Sequence, residues 1–314
     1  MNKEISSISE LLNAAYLLTP ELIPKIKSEI EKVNKKSWAY FAPFLLSYNL
    51  YPKRSLYCLE IFETFIIFQH LKNSDRERID FVLPPILLNS KSLHFLDTLC
   101  NLISNQFNQK NIRIIWADDL DKGFLEEYFG NRISVEKTDQ EYIYDINAVI
   151  EMKGSDFRDL RKSVNKIRKL NPVFKEMGSE DLNESMDLLK NWRKVQGRKN
   201  KFLLDWGYTR KALMIFSELP KEDLYSWCIR IDNKVVGFAM AGPITKNVAN
   251  FFVIKTDIDV SGLSLYLRWR VLKELRSFLV VNDASDLGIK GLKQHKMKLR
   301  PCEFNTTYTL AIIA

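Results

Sequence analysis

The stretch "NDASDLGIKGLKQHKMKLRP", residues 282–301, decides how this chain is read. It holds two carboxylates, two glycines and five lysines or arginines around a helix-compatible run. Gly288 can supply a turn before that helix, and Gly291 is expected to permit close approach of backbone or ligand. The segment reads either as the rim of an active site or as a charged surface helix leading into a last strand, "CEFNTTYTLAII".

Upstream of it, Ser261 opens a long helix to about Phe278, and strands are expected in "YSWCIRID", "KVVGFAMAGP" and "NVANFFVIKT". Helices are expected around 180–199 and 209–219. In "KGSDFRDLRKSVNKIRKLNP", Phe157, Leu160, Val164 and Ile167 fall at helical spacing while cations crowd the other side; Asn171 and Pro172 end the run. The N-terminal part repeats the mixture. Ser7 and Ser9 with Glu10 can cap a first helix, "SLYCLEIFETFIIFQHL" reads as strands with a hairpin around Glu63 and Thr64, and "SKSLHFLDTLCNLISNQF" is an amphipathic helix between two strands. The expectation is an α/β protein with α+β mixed sheets in two units, 1–140 and 141–314.

At 314 residues, 46% hydrophobic and 27% charged, the chain has the balance of a folded protein. A formal charge of +8 favours an anionic partner such as RNA, a phosphorylated ligand or an anionic membrane surface. Four widely spaced cysteines form no CxxC or Cys/His cluster, which argues against zinc and against a disulfide framework. No metal is expected. The N-terminus lacks a secretory pattern and no apolar run reaches the roughly 18 residues of a membrane span, so a cytoplasmic protein without an integral membrane segment is expected.

The segment 282–301 resembles the C-terminal signature of proteins related to the soluble catalytic domain of phosphatidylglycerol lysyltransferases. Asn282, Asp286, Leu287, Gly288, Gly291, Leu292, Lys296 and Pro301 carry the likeness. A second match is "YDINAVIEMKGSDFRDLRKSVNKI", through Lys153, Gly154, Arg161 and Asn165, with Ser163 standing where the family often has His. The resemblance implies tandem GNAT-like acyltransferase folds, the C-terminal one carrying the motifs. It also implies aminoacyl transfer from an aminoacyl-tRNA to a small-molecule, peptide or lipid acceptor, with no cofactor and no DNA partner. Substrate-binding roles for Asn282, Lys153, Arg161 and Asn165 follow from the motif positions. Two alternatives stand beside it: an N-acyltransferase using acetyl-CoA or another acyl-CoA, and a non-catalytic RNA-binding relative.

Transfer from an ester needs a group to deprotonate the acceptor and one to meet the developing oxyanion. Asp286 is the candidate carboxylate and Lys296 the candidate cation; N-capping and a surface lysine are the plain structural readings. Adjacent helical side chains diverge by roughly 100°, so His295 and Lys296 are not expected to face one site. Cys302 is expected to be a buried strand residue. Arg158, Lys162, Lys166, Lys169 and Arg198 are candidate tRNA contacts, or else solvated helix faces. The pyrophosphate turn of an ordinary GNAT should lie in "KTDIDVSGLS", which offers one glycine and the acids Asp257 and Asp259. Carboxylates repel a pyrophosphate. They suit the α-ammonium of an aminoacyl ester, or cap a helix start.

Overall fold

The computed structural model describes residues 5–73, 77–199 and 205–314 (side chains of 197–199 and 205 excepted), and its first helix begins where the sequence caps it. The Ser7 side chain accepts the Glu10 amide to open α1 (Ile8–Ala14). A short β1 (Tyr16–Leu17), α2 (Ile23–Val33) and α3 (Ala42–Tyr48) follow. β2 (Arg54–Ile61) and β3 (Thr64–Lys72) form the expected hairpin. It turns at Phe62 and Glu63, both at left-handed φ, as a two-residue hairpin turn requires. Then come β4 (Glu77–Phe81), α4 (Ser90–Phe107), β5 (Asn111–Ala117), α5 (Asp119–Phe129) and β6 (Ile133–Asp145).

The next elements are α6 (Ile146–Glu151), α7 (Arg158–Arg168), β7 (Val173–Glu176), α8 (Leu182–Lys199) and α9 (Asp205–Ile215). β8 (Tyr225–Ile231), β9 (Lys234–Thr245) and β10 (Val248–Thr256) make an antiparallel meander, and α10 (Leu263–Glu274), β11 (Val280–Ser285), α11 (Lys290–Met297) and β12 (Glu303–Ile313) complete the chain. No described helix is long and apolar enough to cross a membrane.

Two compact units result, Met1–Asp139 with Asn305–Ala314, and Gln140–Phe304. The linear division at 140/141 therefore needs one correction: the last strand returns to the first unit. β12 pairs antiparallel with β5, setting Leu310 opposite Ile114, and both are fully buried in the first core with Phe68, Phe81 and Leu96. In that unit the strands run β1-β2-β3-β4-β5-β12.

In the second unit the order is β6-β11-β10-β9-β8-β7, antiparallel except for the parallel β10–β11 pair. One face packs on α7 and α10: Leu160, Val164 and Ile167 join Leu267, Val271, Ala249, Phe251 and Val281 in a single apolar cluster. α8 and α9 lie on the opposite face. Tyr208 stacks on Phe252 at 5.8 Å, and the Lys255 ammonium sits 3.8 Å from the Trp192 ring centre. Side chains alternate along a strand, so each strand of this sheet sends alternate residues to two chemically different layers.

Candidate active site

β10 and β11 are in register over Val248–Asn250 and Val280–Asn282. Immediately after Asn282, β11 bulges against β6: the pairing passes from Asn282–Ile143 to Ser285–Glu141, and Ala284 sits at a left-handed φ of 52°. A non-glycine residue held there is strained unless its surroundings fix it. They do so from α11, because the Lys296 ammonium donates to the Asp283 and Ala284 carbonyl oxygens, the latter at 3.2 Å. The Asn282 side-chain oxygen accepts the Ala284 amide at 2.8 Å.

The bulge turns Asp283 towards α10, where it is buried beside Arg268. The guanidinium donates Nε to Oδ2 at 3.0 Å and Nη2 to Oδ1 at 3.2 Å. Tyr144 donates its hydroxyl to the same carboxylate at 3.3 Å, and Lys296 Nζ lies 3.6 Å from it. Burial by itself would raise the Asp283 carboxyl; the two cations overcome it and hold it below the usual range. Burial pulls Lys296 down to about 8 despite Asp283 beside it.

His295, expected to face away from Lys296, contacts the same ion pair. Its Nε2 lies 3.2 Å from the Ser264 hydroxyl and 3.5 Å from Arg268 Nη1. Arg268 is long and forked, so two adjacent residues of α11 straddle one pair from different sides. Burial and the Arg268 charge drive His295 down to about 3, leaving a neutral ring whose Nε2 accepts.

Asp286 is half-buried just beyond β11. Tyr142 donates its hydroxyl to Oδ2, and the Gly288 amide donates to Oδ1 at 2.9 Å. The N-cap of α11 is Ile289, so Asp286 does not cap that helix; it closes the turn made by Leu287 and Gly288, both at positive φ. Burial, then the bond to Asp286, raises the Tyr142 phenol, so its proton stays on the hydroxyl and points at the carboxylate. The Tyr142 ring also lies 5.5 Å below the Lys296 ammonium. Asp286 and Lys296 are thus joined through Tyr142. Asn282 is tied in through the bulge, and its amide nitrogen donates to the buried Glu141 carboxylate at 2.7 Å.

The remaining sequence candidates divide. Asp257 accepts the Asp259 amide at 3.0 Å in the loop ahead of Gly262, which opens α10 at φ 93° with Ser163 of α7 as its nearest neighbour. Lys153 is exposed and pairs with Glu151 at 2.9 Å. Arg161 donates to the Met152 carbonyl at the end of α6, while Asn165, Arg158, Lys162, Lys166 and Lys169 are exposed. The side chain of Arg198 lies outside the described residues. One expectation fails: Cys302 is exposed, just ahead of the strand that begins at Glu303. Gly291 faces open space, with no backbone close to it.

Sequence reasoning missed Arg268, Asp283, Tyr142, Tyr144 and Glu141. Only Asp283 had a signal, as the first of the two acids in the quoted stretch. A surface groove of about 450 Å³ was also unforeseen; Arg168, Arg270 and Lys273 line it with Trp269, Tyr266 and Phe174. The Arg168 and Lys273 cations lie 4.8 and 5.0 Å from the Trp269 ring centre. Among the described residues no cluster of three His, Cys, Asp or Glu suits a metal ion.

Comparison with solved structures gives the fold. A conserved protein of unknown function from Bacteroides thetaiotaomicron matches with a TM-score of 0.79 at 18% identity, over 95% of this chain and 99% of that one. L-PGS from Bacillus licheniformis matches at 0.66 and 14% identity, over 99% and 94%. A tandem GNAT protein from the clavulanic acid biosynthesis pathway matches at 0.53 and 9% identity, over 96% and 98%, so the fold is tandem GNAT-like. No curated protein matches by sequence. The model of the phosphatidylglycerol lysyltransferase C-terminal family matches residues 115–311, more than half of the chain and all of the Asp286, Asp283 and Lys296 cluster. The protein belongs to the phosphatidylglycerol lysyltransferase C-terminal family.

Proposed function

We propose that the protein transfers an aminoacyl group from an aminoacyl-tRNA to an amine or hydroxyl of a small molecule, peptide or lipid head group. The observation that carries this reading is Asp286, a half-buried carboxylate oriented by Tyr142 and the Gly288 amide within the family-matched segment. Asp286 takes the acceptor proton as the acceptor lone pair attacks the ester carbonyl. A new N–C or O–C bond forms, the ester C–O bond breaks, and Asp286 returns the proton to the departing ribose hydroxyl. No covalent enzyme intermediate is needed. Lys296 acts as a positioning residue, since its ammonium holds the Asp283 and Ala284 carbonyls and the bulge they belong to.

The donor approaches over the exposed cations Arg158, Lys162, Lys166 and Lys169 of α7 and the groove beside Arg168, Arg270 and Lys273. Cations over aromatic rings suit a phosphate backbone with stacked bases. Asp257 and Asp259, ahead of the N-terminus of α10, oppose a pyrophosphate there, which supports aminoacyl-tRNA over acyl-CoA as the donor.

The test is a transfer assay with a pool of labelled aminoacyl-tRNAs and, in turn, phosphatidylglycerol vesicles, small amines and peptides. Enzyme-dependent deacylation with a labelled product is expected, and Asp286→Asn should slow it by about 10²–10⁴-fold at unchanged melting temperature. An absence of deacylation with every acceptor, or full activity in Asp286→Asn, would overturn the reading.

A further inference from the structure

The sheet of the second unit ends at β7, which pairs on one side only, with β8. Met177, just past the strand, donates its amide to the Ser226 carbonyl at 3.0 Å, and the antiparallel register sets Glu176 opposite Trp227. Val173, Lys175 and Met177 therefore direct their backbone groups at β8, while the N–H and C=O groups of Phe174 and Glu176 point out of the sheet. Among the described residues no strand lies beyond them. Folded proteins blunt such an edge with charge, proline or a covering element, because it invites pairing with another chain. β7 has Pro172 ahead of it, but the charge of Lys175 is matched by Glu180 and Asp181 at 2.8 and 2.7 Å, and Val173 is 58% exposed.

Alongside this edge runs the groove of about 450 Å³. Val173 and Phe174 form its strand wall, and Arg168 of α7 with Trp269, Arg270 and Lys273 of α10 form the other. The Arg270 guanidinium stands 4.6 Å from the Phe174 ring centre, beside the outward backbone groups. No carboxylate is among the described residues that line the groove; Glu274 meets Arg270 at 3.5 Å from outside it. Three cations gathered in one groove raise a positive potential that an anion relieves. An open strand edge and an uncompensated positive groove thus lie side by side.

We propose that the β7 edge and this groove bind an extended acidic segment of a partner protein, which adds as a further strand beside β7. Its backbone meets the outward groups of Phe174 and Glu176, and the acids that alternate on one of its faces enter the groove against Arg168, Arg270 and Lys273. The two features together select this occupant. RNA phosphates satisfy the cations, but they only accept hydrogen bonds and cannot answer the outward carbonyls. A second copy of the chain brings the same three cations against these, so self-pairing is opposed. The groove lies on the route given above to the donor, so the bound segment and aminoacyl-tRNA exclude each other, which makes the partner an inhibitor. That consequence rests on the transfer reading; strand addition itself does not.

The probe is a fluorescein-labelled octapeptide of alternating glutamate and valine, titrated into the protein and followed by anisotropy. Saturable binding is expected. Two counterparts N-methylated at every second residue, one in each phase, should differ: the phase that blocks the edge facing β7 weakens binding by about tenfold or more, and the other binds like the parent. Arg270→Glu combined with Lys273→Glu should weaken the parent peptide by about tenfold or more. Glu176→Pro removes one outward amide and leaves the ladder to β8 intact, so it should weaken the peptide severalfold relative to Glu176→Gln without changing tRNA binding. If Glu176→Pro fails to fold, the two methylated peptides decide on the wild-type protein. Absence of binding, equal affinity of both methylated peptides, or undiminished affinity in the double variant would overturn the docking site whatever the transfer assay gives. Phase-dependent peptide binding that leaves tRNA binding unhindered would sustain the strand site and remove the donor route through the groove.

Discussion

Replacing Asp283 with Asn tests the electrostatic core of the site. The wild-type carboxylate receives both arms of Arg268 at 3.0 and 3.2 Å, the Tyr144 hydroxyl at 3.3 Å, and has the Lys296 ammonium 3.6 Å away. Asp283→Asn keeps the shape but leaves two buried cations facing a neutral amide. Removing one partner of a buried ion pair costs about 3–5 kcal/mol, because the remaining charge stays out of water. At roughly 2–4 °C per kcal/mol for a domain of this size, the second unit should melt about 10 °C lower. The deficit should also depend on pH. Lys296 already titrates at about 8 in the folded protein, below its ordinary value, and losing Asp283 lowers it further. Its folded form then sheds the proton that the unfolded chain still binds, so stability rises with pH across the interval between the two values. The variant reaches its neutral form at lower pH than the wild type, so its deficit should shrink between pH 7 and pH 9. Urea unfolding at both pH values measures this. A loss below about 1 kcal/mol at pH 7, or a deficit that grows towards pH 9, would refute the assignment of Asp283 as the counter-charge of Arg268 and Lys296.

Two more outcomes follow from the same geometry. His295 is held down to about 3 in the folded protein, so between pH 6.5 and 3 the unfolded chain binds a proton that the folded form refuses, and stability falls with pH. His295→Gln, which cannot titrate, should lose about 1–2 kcal/mol less than the wild type between pH 7 and pH 5 in urea unfolding; parallel curves would show an ordinary histidine. On α7, Lys162→Glu and Lys166→Glu should each weaken tRNA binding and reduce the slope of log affinity against log salt by about 1; an unchanged slope in filter binding would remove that face from the interface.

Local spacing made much of the architecture legible. Leu160, Val164 and Ile167 recur at helical intervals and all three are buried beneath α10. The hairpin at Phe62 and Glu63 was visible from its flanking β-branched and aromatic runs, one residue from the expected position. The return of β12 to the first unit was not visible, because strand pairing between residues almost 200 positions apart leaves no local periodicity. The same limit hid the neighbours of the site. Asp286 and Lys296 stood out inside one dense motif, whereas Tyr142, Arg268 and Glu141 are single residues of common types whose meaning is spatial.

What the sequence alone determined is the family, the mixed α/β character and the stretch 282–301 on which the candidate chemistry turns, since each is written in residues close together along the chain. Only the tertiary structure decided how those residues are used. It set Lys296 on the carbonyls of a strained bulge, left Asp286 held by a tyrosine, and separated Asp283 from Asn282 onto opposite faces of one sheet. Neighbouring side chains in a strand point to different layers, and the charge or polarity each layer offers comes from elements far away in sequence.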